Sequence, residues 1–448
     1  MDSISVRACA KLNLFLDITG KRPDGYHTLS SVMQSVDLFD YVKISKSDSL
    51  SVRCSKSELD GENNIVYKAA KFFFERTEIP FGADIYIEKR IPTEAGLAGG
   101  SADAAAVLFG LNRLFEACLS EAELRKIGAK CGADVPFSLT GGTMLAEGIG
   151  DEFTKLSPLS DCWIVIVKPE IGMSTKASYQ YYDEHGSEAP EHGDASAIVS
   201  ALESEDLRAV CEGFYNVLEP AITGGIISDI KDKCAACGAL GSAMTGSGTA
   251  VFGIFDDEEK AVFCKNELEK QYPAVFIARP TNFGADVDKS EAVIERLDFL
   301  GIKYERIEHP AVYTMDEMNA LGIFDKGVVG KNLFLRDANG RRHFLVFIYG
   351  DKKVNLATVE EKIGIKHCSF GSAERLEKYL GLTKGSVSPL GVINDREGAV
   401  EFIIDSKFKG CPTVGVHPNQ NTSTLWLSFD DLEKVIRENK NNVTFVDL

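Results

Sequence analysis

A glycine-rich segment that runs directly into a helical pattern constrains this chain more than any other feature. The segment reads IPTEAGLAGGSADAAAVLFGLNRLF and covers Ile91 to Phe115. Gly96, Gly99 and Gly100 remove side chains from a turn, so successive backbone N–H groups can point at one anion, and a helix that starts at Ser101 adds its positive end. Glycine also serves in simple helix caps, and the segment is neither a Walker loop nor a dinucleotide-binding G-x-G-x-x-G. A polyphosphate site and a plain cap are both open on this stretch alone.

The length of the chain predicts two or three folded domains, and we take two as the starting expectation. At 448 residues and 48.9 kDa it exceeds what one hydrophobic core usually organises. Hydrophobic residues make up 44% and charged residues 26%, which is ordinary for a chain that folds throughout. The segment from Thr281 to Ser290 is short, polar and aperiodic, and we interpret it as a linker. We therefore expect domains over residues 1–284 and 286–448, and we expect a cut within the linker to leave two active pieces.

Strand and helix patterns alternate in both domains. SISVRACAKLNLFLDI and FGADIYIEKRI alternate as strands do, whereas NNIVYKAAKFFFERT and SEAELRKIGAKC have helical spacing. The first domain divides into lobes of about residues 1–160 and 161–280, and the second lobe begins near Trp163 with a strand. In the second domain helices alternate with strands, and DANG predicts a hairpin turn. The patterns together predict an α+β fold.

The net charge of −18 is distributed unevenly. Residues 1–285 hold 27 lysines and arginines against 42 acidic residues, whereas residues 286–448 hold 22 against 25. The first region therefore repels nucleic acid, and the second need not. We expect no DNA partner.

Cysteine usage and the lack of long apolar runs indicate a cytoplasmic protein. The eleven cysteines are scattered and odd in number, which fits reduced thiols better than a disulfide framework. Cys234 and Cys237 have no second pair at metal-ligand spacing, so we expect them to be structural and expect no protein metal site. The first residues lack the pattern of a signal peptide, and nowhere do about 18 apolar residues run together. We expect a cytoplasmic location and no membrane contact.

Four further segments accompany the glycine-rich stretch: AKLNLFLDI, DGYHTL, GADVPF and MTGSGTAVFGIF. Together they resemble the GHMP small-molecule kinase superfamily over about residues 4–280. AKLNLFL with KRPDGYHTL is narrower than the superfamily's shared loop and resembles the branch that acts on 4-diphosphocytidyl-2-C-methyl-D-erythritol. The resemblance implies a two-lobed GHMP kinase fold and ATP-dependent phosphorylation of the 2-hydroxyl in the non-mevalonate isoprenoid pathway. A GHMP kinase for another small alcohol remains the alternative.

The resemblance implies functions for individual residues of the first domain. Asp134 matches the catalytic base that accepts the hydroxyl proton. Lys11 matches its partner, a cation that keeps the carboxylate ionised and offsets charge on the transferring group. Glu94 precedes the loop, and its charge must point away from the phosphates. The residues implied for ATP are Asn64 and Lys89 near the adenine, and Gly96, Leu97, Ala98, Gly99, Gly100 and Ser101 at the phosphates.

The same resemblance implies how the substrate and magnesium are held. The residues for the cytidine end are Asn13, Tyr26 and His27, and those of a second loop that closes on substrate and phosphates are Thr245, Gly246, Ser247 and Gly248. Mg²⁺ would be held mainly by the nucleotide phosphates.

The second domain carries another set of spaced motifs: EHPAVYTMDE, KNLFLRD, GSVSPLGVIND and VGVHPNQNTSTLWLSFDDL. They resemble the YbaK/ProX family, whose members are aminoacyl-tRNA deacylases that clear mischarged tRNA(Pro). The resemblance implies a separate mixed α/β editing domain with tRNA(Pro) as partner, and KNLFLRD points toward editors of Ala-tRNA(Pro). A tRNA-binding or protein-binding module without hydrolysis is the alternative.

This second resemblance also implies site residues. Lys331 matches a key lysine whose ammonium can orient and polarise the ester for attack by water. Asn355 stands near the position where the family usually has Asp. Residues implied for the amino-acid pocket are Gly385, Ser386 and Pro389 on one loop and His417, Pro418 and Asn419 on a second wall. Basic residues around the predicted hairpin are candidates for tRNA phosphates, although a solvated charged face is the commoner meaning of such a run: Arg336, Arg341, Arg342, Lys352 and Lys353.

Overall fold

The computed structural model describes residues 2–80, 82–160, 162–185, 192–309, 326–350, 352, 355–382 and 385–448. The chain divides into two compact units, Met1–Asp288 and Lys289–Leu448. Among the described residues, no helix combines the length and the apolar character needed to cross a membrane. All eleven cysteines are free thiols.

The first unit combines two sheets with helices. Its described strands are β1 Ser3–Lys21, β2 His27–Ser47, β3 Ser51–Cys54, β4 Gly82–Glu88, β5 Thr143–Glu147, β6 Glu152–Lys155, β7 Trp163–Lys168, β8 Tyr215–Asn216, β9 Gly241–Met244, β10 Val251–Phe255, β11 Ala274–Ala278 and β12 Ala285–Val287. Its described helices are α1 Ile65–Thr77, α2 Gly99–Leu114, α3 Glu121–Ala129, α4 Val135–Thr140, α5 Thr175–His185, α6 Ala195–Glu203, α7 Leu207–Glu212, α8 Ile226–Ala236 and α9 Glu258–Leu268.

The first sheet has the order β12–β1–β2–β4–β3. In addition, β5 pairs with β2, β6 pairs with β5, and β8 pairs with β1. β1 and β2 pair antiparallel over most of their length, and their register shifts between Cys9 and Ala10 and between Asn13 and Phe15. Such bulges bend a strand and re-aim its side chains. The bend brackets Lys11, whose side chain reaches the site described below.

The second sheet is antiparallel, with the order β11–β7–β10–β9. Between the sheets and the helices lies a core to which α2 contributes a nearly continuous buried surface from Ala102 to Leu108. Small alanines allow this helix to approach the strands closely on more than one side. The first turn of α2 is thereby held rigidly.

The expected linker, Thr281 to Ser290, contains the boundary between the two units, but part of it belongs to the first sheet. Ala285–Val287 forms β12, which pairs with Val6 to Ala8 of β1. The guanidinium of Arg7 donates to Asp286 at 3.0 Å, and the amide of Asp288 donates to the carbonyl of Ser5 at 2.8 Å. The sheet therefore continues to the end of the first unit.

The second unit is a mixed sheet with helices on both faces. Its described strands are β13 Glu305–Glu308, β14 Val328–Asp337, β15 His343–Tyr349, β16 Cys368–Phe370, β17 Val400–Asp405, β18 Val414–Val416, β19 Ser423–Leu427 and β20 Val443–Val446. Its described helices are α10 Lys289–Phe299, α11 Leu356–Ile363, α12 Ala373–Leu380 and α13 Phe429–Glu438. The strand order is β13–β19–β18–β14–β15–β17–β20, with β16 on β14.

Alternation along β15 divides the core of this unit between the two faces. Leu345 and Phe347 pack with α10, α12 and α13, whereas Phe344, Val346 and Ile348 pack with α11. The rings of Phe347, Phe408 and Phe429 stack in series at centroid distances of 4.2 Å and 5.6 Å. The hairpin predicted at DANG is confirmed between β14 and β15.

Candidate active site

The first unit contains a cavity of about 720 Å³ that brings most of its predicted site residues together. The predicted residues on its wall are Lys11, Asn13, Tyr26, His27, Lys89, Gly96, Leu97, Ala98, Gly99, Gly100, Ser101, Asp134, Gly246 and Ser247. Asn64, Thr245 and Gly248 do not line it. Residues separated by more than 200 positions in the chain therefore meet at one concave surface.

The glycine-rich loop ends at the N-terminus of α2, on the cavity wall. The helix begins at Gly99, two residues before the predicted start, and its N-cap Ala98 has no side chain that accepts from the first turn. The N–H groups of that turn therefore remain available to an anion, which the helix dipole also favours. A Cβ on Gly96 would lie 2.0 Å from the carbonyl oxygen of Thr245, so only glycine allows the two predicted loops to pack against each other.

Lys11 and Asp134 lie on opposite elements of this cavity. Lys11 is buried in β1 and donates a hydrogen bond to Oδ1 of Asn13, while Asp134 is the N-cap residue of α4 and its side chain caps no helix N–H. Burial lowers the pKa of the Lys11 ammonium, and the nearby Asp134 carboxylate opposes that shift. An available carboxylate thus faces the field of a buried cation.

Asn13 connects Lys11 to the neighbouring strand β2 and to the second predicted loop. Its side-chain amide donates to the hydroxyl of Ser31 at 2.8 Å, and its backbone N–H donates to the hydroxyl of Thr245 at 3.0 Å. Thr245 thus supports the site from behind the cavity wall. Asn13 has its amide groups fixed by Lys11 and Ser31, which makes it a rigid part of the wall.

An aromatic and charged cluster forms the other end of the cavity. The ring of His27 lies 5.1 Å from that of Tyr179, which also lines the cavity. Hydrogen bonds from Lys21 and His27 lower the pKa of Asp183, and Nε2 of His27 lies 2.8 Å from its Oδ1. His27 therefore donates from Nε2 to the Asp183 carboxylate, and this contact fixes the orientation of the ring. Tyr26 is 64% exposed, so a ring can stack on it.

Tyr179, Asp183 and Asn216 contribute to this site and were not predicted from the sequence. Tyr179 and Asp183 lie on one face of α5, four positions apart, and that spacing in SYQYYDEH is a signal that could have found them. Burial, with the Asp134 charge, raises the pKa of Tyr179 to about 12. The side chain of Asn216 donates to the carbonyl oxygens of Met244 and Gly246 at 2.7 Å and 2.9 Å. It therefore braces the second loop.

The two residues expected near the adenine differ in their environments. Asn64 caps α1, accepting from the amide of Val66 at 2.9 Å and donating to the carbonyl of Leu59 at 2.8 Å, and these contacts give it a structural function. Lys89 does reach the cavity wall. Glu94 is exposed, and its carboxylate lies beside Gly172.

The predicted editing residues of the second unit lie on β14 and on two adjoining loops. Lys331 in β14 is partly buried, and its Nζ lies 3.5 Å from the carbonyl oxygen of Lys352. Ser388 caps the short 3-10 helix that begins at Pro389, and its hydroxyl also donates to the carbonyl of His417. The structure therefore joins the two predicted pocket walls, to which Gly385 and the buried Ser386 belong on one side.

The second wall of the predicted pocket contains buried polar side chains, and not all of their atoms have a hydrogen-bond partner among the described residues. Burial, together with His309, lowers the pKa of His417 to about 3, so its ring is neutral near pH 7. Asn419 is 1% exposed, has φ of 62°, and its side-chain amide has no hydrogen-bond partner within the described ranges. A buried amide without partners is costly unless a ligand satisfies it.

The basic residues around the hairpin are largely paired within the unit. Arg342 makes a bidentate contact with Glu401 at 2.7 Å and 2.8 Å, and Lys352 donates to Asp405 at 2.6 Å. These pairs favour the structural explanation for both residues. Asn355 caps α11 by accepting from the amide of Thr358. Lys353, and the EHPAVYTMDE motif beyond His309, lie outside the described residues.

Comparisons with known proteins agree with this division. Residues 64–142 match the GHMP kinases N terminal domain, residues 198–274 match the GHMP kinases C terminal domain, and residues 309–435 match the aminoacyl-tRNA editing domain. The fold and site thus define the first unit as a GHMP-type kinase domain and confirm the predicted fold class.

Individual known proteins show which family within this class the first unit resembles. A 4-diphosphocytidyl-2-C-methyl-D-erythritol kinase of Clostridium botulinum is 44% identical over 280 residues, which are 62% of this chain and 99% of the relative. One of Clostridioides difficile is 44% identical over 293 residues, 64% of this chain and 98% of the relative. A crystal structure of 4-(cytidine 5'-diphospho)-2C-methyl-D-erythritol kinase matches with a TM-score of 0.54 and 29% identity, covering 62% of this chain and 99% of that one. The chain belongs to the 4-diphosphocytidyl-2-C-methyl-D-erythritol kinase family.

Proposed function

We propose that the first unit transfers the γ-phosphoryl group of ATP to the 2-hydroxyl of 4-diphosphocytidyl-2-C-methyl-D-erythritol. The observation that carries this proposal is the meeting of Asp134, Lys11 and the first turn of α2 on one cavity. The two bacterial relatives match this unit over 99% and 98% of their own length, and their names support the proposed substrate. A kinase for another small alcohol is less consistent with the aromatic cluster at His27.

Asp134 is proposed as the general base. Its carboxylate, unused as a helix cap, would accept the proton of the substrate hydroxyl as the phosphoryl group arrives. Lys11 would keep that carboxylate ionised and offset negative charge on the transferring group. The N–H groups of Gly99 to Ser101 would hold the phosphates.

The residues present also fit the magnesium ion that such a reaction requires. Among the described residues, no group of three His, Cys, Asp or Glu side chains is arranged to hold a metal. A Mg²⁺ ion bound chiefly through nucleotide oxygens and water needs no such group and would neutralise phosphate charge.

The cytidine end of the substrate is proposed to bind at Tyr26 and His27. Tyr26 would stack on the base, and His27, whose ring is fixed through Nε2 by Asp183, would present Nδ1 to the polar edge of cytosine. Asn13 would hold the adjoining polar groups. Tyr179 would close this end against water.

The kinase proposal is tested by Asp134→Asn. The amide keeps the shape of the side chain but removes its basicity, so turnover of 4-diphosphocytidyl-2-C-methyl-D-erythritol with ATP should fall on the order of a hundredfold or more, with ATP affinity within a few-fold. Asp232→Asn, an exposed position on α8, is the matched control. Turnover near the wild-type value in Asp134→Asn would refute the assignment.

We propose that the second unit hydrolyses the ester of mischarged tRNA(Pro), with alanine as the amino acid removed. The match of residues 309–435 to the aminoacyl-tRNA editing domain supports the reaction class, and the proximity of Ser388 to His417 supports a single pocket. The Lys331 ammonium would orient and polarise the aminoacyl carbonyl for attack by water. A chain carrying both activities would be bifunctional.

A panel of aminoacylated tRNAs tests this second proposal. Ala-tRNA(Pro), Cys-tRNA(Pro) and Pro-tRNA(Pro) are incubated with the full chain, and release of the amino acid is followed. Lys331→Ala should abolish release without unfolding the unit, whereas Lys362→Ala on the exposed face of α11 should not affect it. Equal release by the wild type and Lys331→Ala would exclude this lysine. Binding of tRNA without release by the wild type would leave only a binding module.

A further inference from the structure

Helix α5 contacts both ends of the cavity in the first unit. The side chains on one face of this helix, at helical spacing, are Thr175, Ser178, Tyr179 and Tyr182. The rings of Tyr179 and Tyr182 lie 5.1 Å and 6.1 Å from that of His27, at the aromatic end. At the N-terminus of α5 the hydroxyl of Thr175 lies 3.2 Å from that of Ser247, in the second loop.

The side chain of Ser178 joins α5 to the second loop inside the protein. Ser178 is 0% exposed, and its hydroxyl donates to the carbonyl of Ser247 at 2.9 Å. A serine inside a helix can donate to the carbonyl four residues before it, which here belongs to Ser174. The Ser178 hydroxyl is used instead between two elements. Its removal would therefore release the second loop from α5 without interrupting the helix.

The second loop lies against groups that are proposed to act in phosphoryl transfer. A Cβ on Gly246, which precedes Ser247, would come within 3.0 Å of Nζ of Lys11 and 2.9 Å of the carbonyl oxygen of Gly96. A displacement of this loop would therefore change the surroundings of the buried cation and of the glycine-rich segment.

Charged contacts hold α5 at the aromatic end. Asp183 accepts from Nζ of Lys21 at 2.7 Å and lies 2.8 Å from Nε2 of His27. Lys21 ends β1 and His27 begins β2, so Asp183 attaches the helix to the hairpin of the first sheet. Because a helix is a rigid element, a ligand that orders the aromatic end of α5 also restricts the end that carries Ser178.

We propose that Ser178 is a positioning residue that couples binding of the phosphoryl acceptor at the His27 end to the placement of the second loop beside the nucleotide phosphates. The cytidine end of the acceptor would lie against His27 and Tyr179 and hold α5, and Ser178 would hold Ser247. ATP then binds more tightly to the enzyme that already carries its acceptor, and by linkage the acceptor binds more tightly when ATP is present. This inference rests on the proposed kinase function and deepens it.

The test is titration calorimetry of the full chain with a non-hydrolysable ATP analogue and Mg²⁺, with and without saturating 4-diphosphocytidyl-2-C-methyl-D-erythritol. In the wild type the acceptor should tighten analogue binding about tenfold. Ser178→Ala removes the hydroxyl and keeps a strong helix former, so this gain should fall to about twofold or less, with the affinity for each ligand alone within about threefold.

Two further variants sharpen the comparison. Ser178→Cys keeps a weak donor of similar size, so it should show an intermediate gain, and it gives the same test if Ser178→Ala does not fold. Ser200→Ala, at an exposed position on α6, is the matched control and should keep the wild-type gain.

An undiminished gain in Ser178→Ala would overturn the proposal. A lower melting temperature in Ser178→Ala with the gain intact would likewise overturn it, because Ser178 would then only stabilise the fold. A wild type that binds the acceptor without a change in analogue affinity would overturn the coupling and leave the proposed function intact. A wild type that does not bind the acceptor would refute the proposed function and this inference with it.

Discussion

The pKa values of two buried lysines in the same cavity are shifted in opposite directions. Burial lowers the pKa of Lys11, and only the charge of the Asp134 carboxylate opposes that shift. At Lys89 burial also acts to lower the pKa, but Asp103 and Asp40 outweigh it and raise the pKa. Lys11 is thus the cation whose field remains free to act on a bound anion, and Lys89 is a fixed donor.

Because His417 is buried, we predict that the second unit loses stability in acid. Its pKa is lowered from 6.5 to about 3 in the folded chain, so stability is fully present above pH 6.5 and is lost as the pH falls toward 3. Between pH 6.5 and 5 the loss should reach about 2 kcal/mol.

Calorimetry of the full chain and of His417→Gln measures this loss. The glutamine variant should show a smaller decrease in the melting temperature of one transition over the same pH range, because Gln does not titrate. His367→Gln, at an exposed position, is the matched control and should behave as the wild type. Identical pH dependence in His417→Gln would show that His417 is not buried neutral.

Single residues were predictable where a short motif fixes them, and not where folding alone brings them together. Asp134 and the glycine loop belong to segments whose spacing carries the chemistry. The spacing in α5 could have paired Asp183 with Tyr179, but its contact with His27 lies 156 positions away in the chain and no local pattern predicts it. Asn64 has an ordinary local explanation as the cap of a helix, and its proximity to the adenine stays a prediction.

At the scale of elements, strand alternation predicted long strands such as β1 well and the short edge strand β12 not at all. β12 has three residues within a polar segment, too few for a period to be visible. Its pairing is decided by the free edge of β1 and by the partly buried Arg7–Asp286 pair, which only the tertiary structure shows. The hairpin at DANG was predictable because turn chemistry is local.

This strand predicts where the chain can be divided. A fragment of residues 1–288 should keep the stability and kinase rate of the first unit, whereas residues 1–284 should lose both. Removing β12 leaves Arg7 buried without its carboxylate and exposes the edge of β1, a loss of about 3 kcal/mol or more.

Thermal unfolding and kinase assays of the two fragments decide this point. Asp286→Asn in the full chain removes the charge but keeps the strand, and should show an intermediate loss. Equal stability of the two fragments would mean that β12 contributes nothing to the sheet.

At the scale of the whole molecule, the chain divides into units that each contain a complete set of proposed site residues. Those of the kinase lie before Asp288 and those of the editing domain after Lys289. The acidic excess of the first region also disfavours tRNA there, as expected from the sequence. We therefore predict that the two activities are catalytically separable.

The most direct measurement assays both reactions on the same preparations of the wild type, Asp134→Asn and Lys331→Ala. Phosphorylation of 4-diphosphocytidyl-2-C-methyl-D-erythritol and release of alanine from Ala-tRNA(Pro) are followed in parallel. We predict that Asp134→Asn loses the first activity alone and that Lys331→Ala loses the second alone, each on the order of a hundredfold or more. A change of more than about tenfold in the unmutated activity, roughly 1.4 kcal/mol in the barrier, would contradict separability. Loss of neither activity would contradict the assignment of both sites.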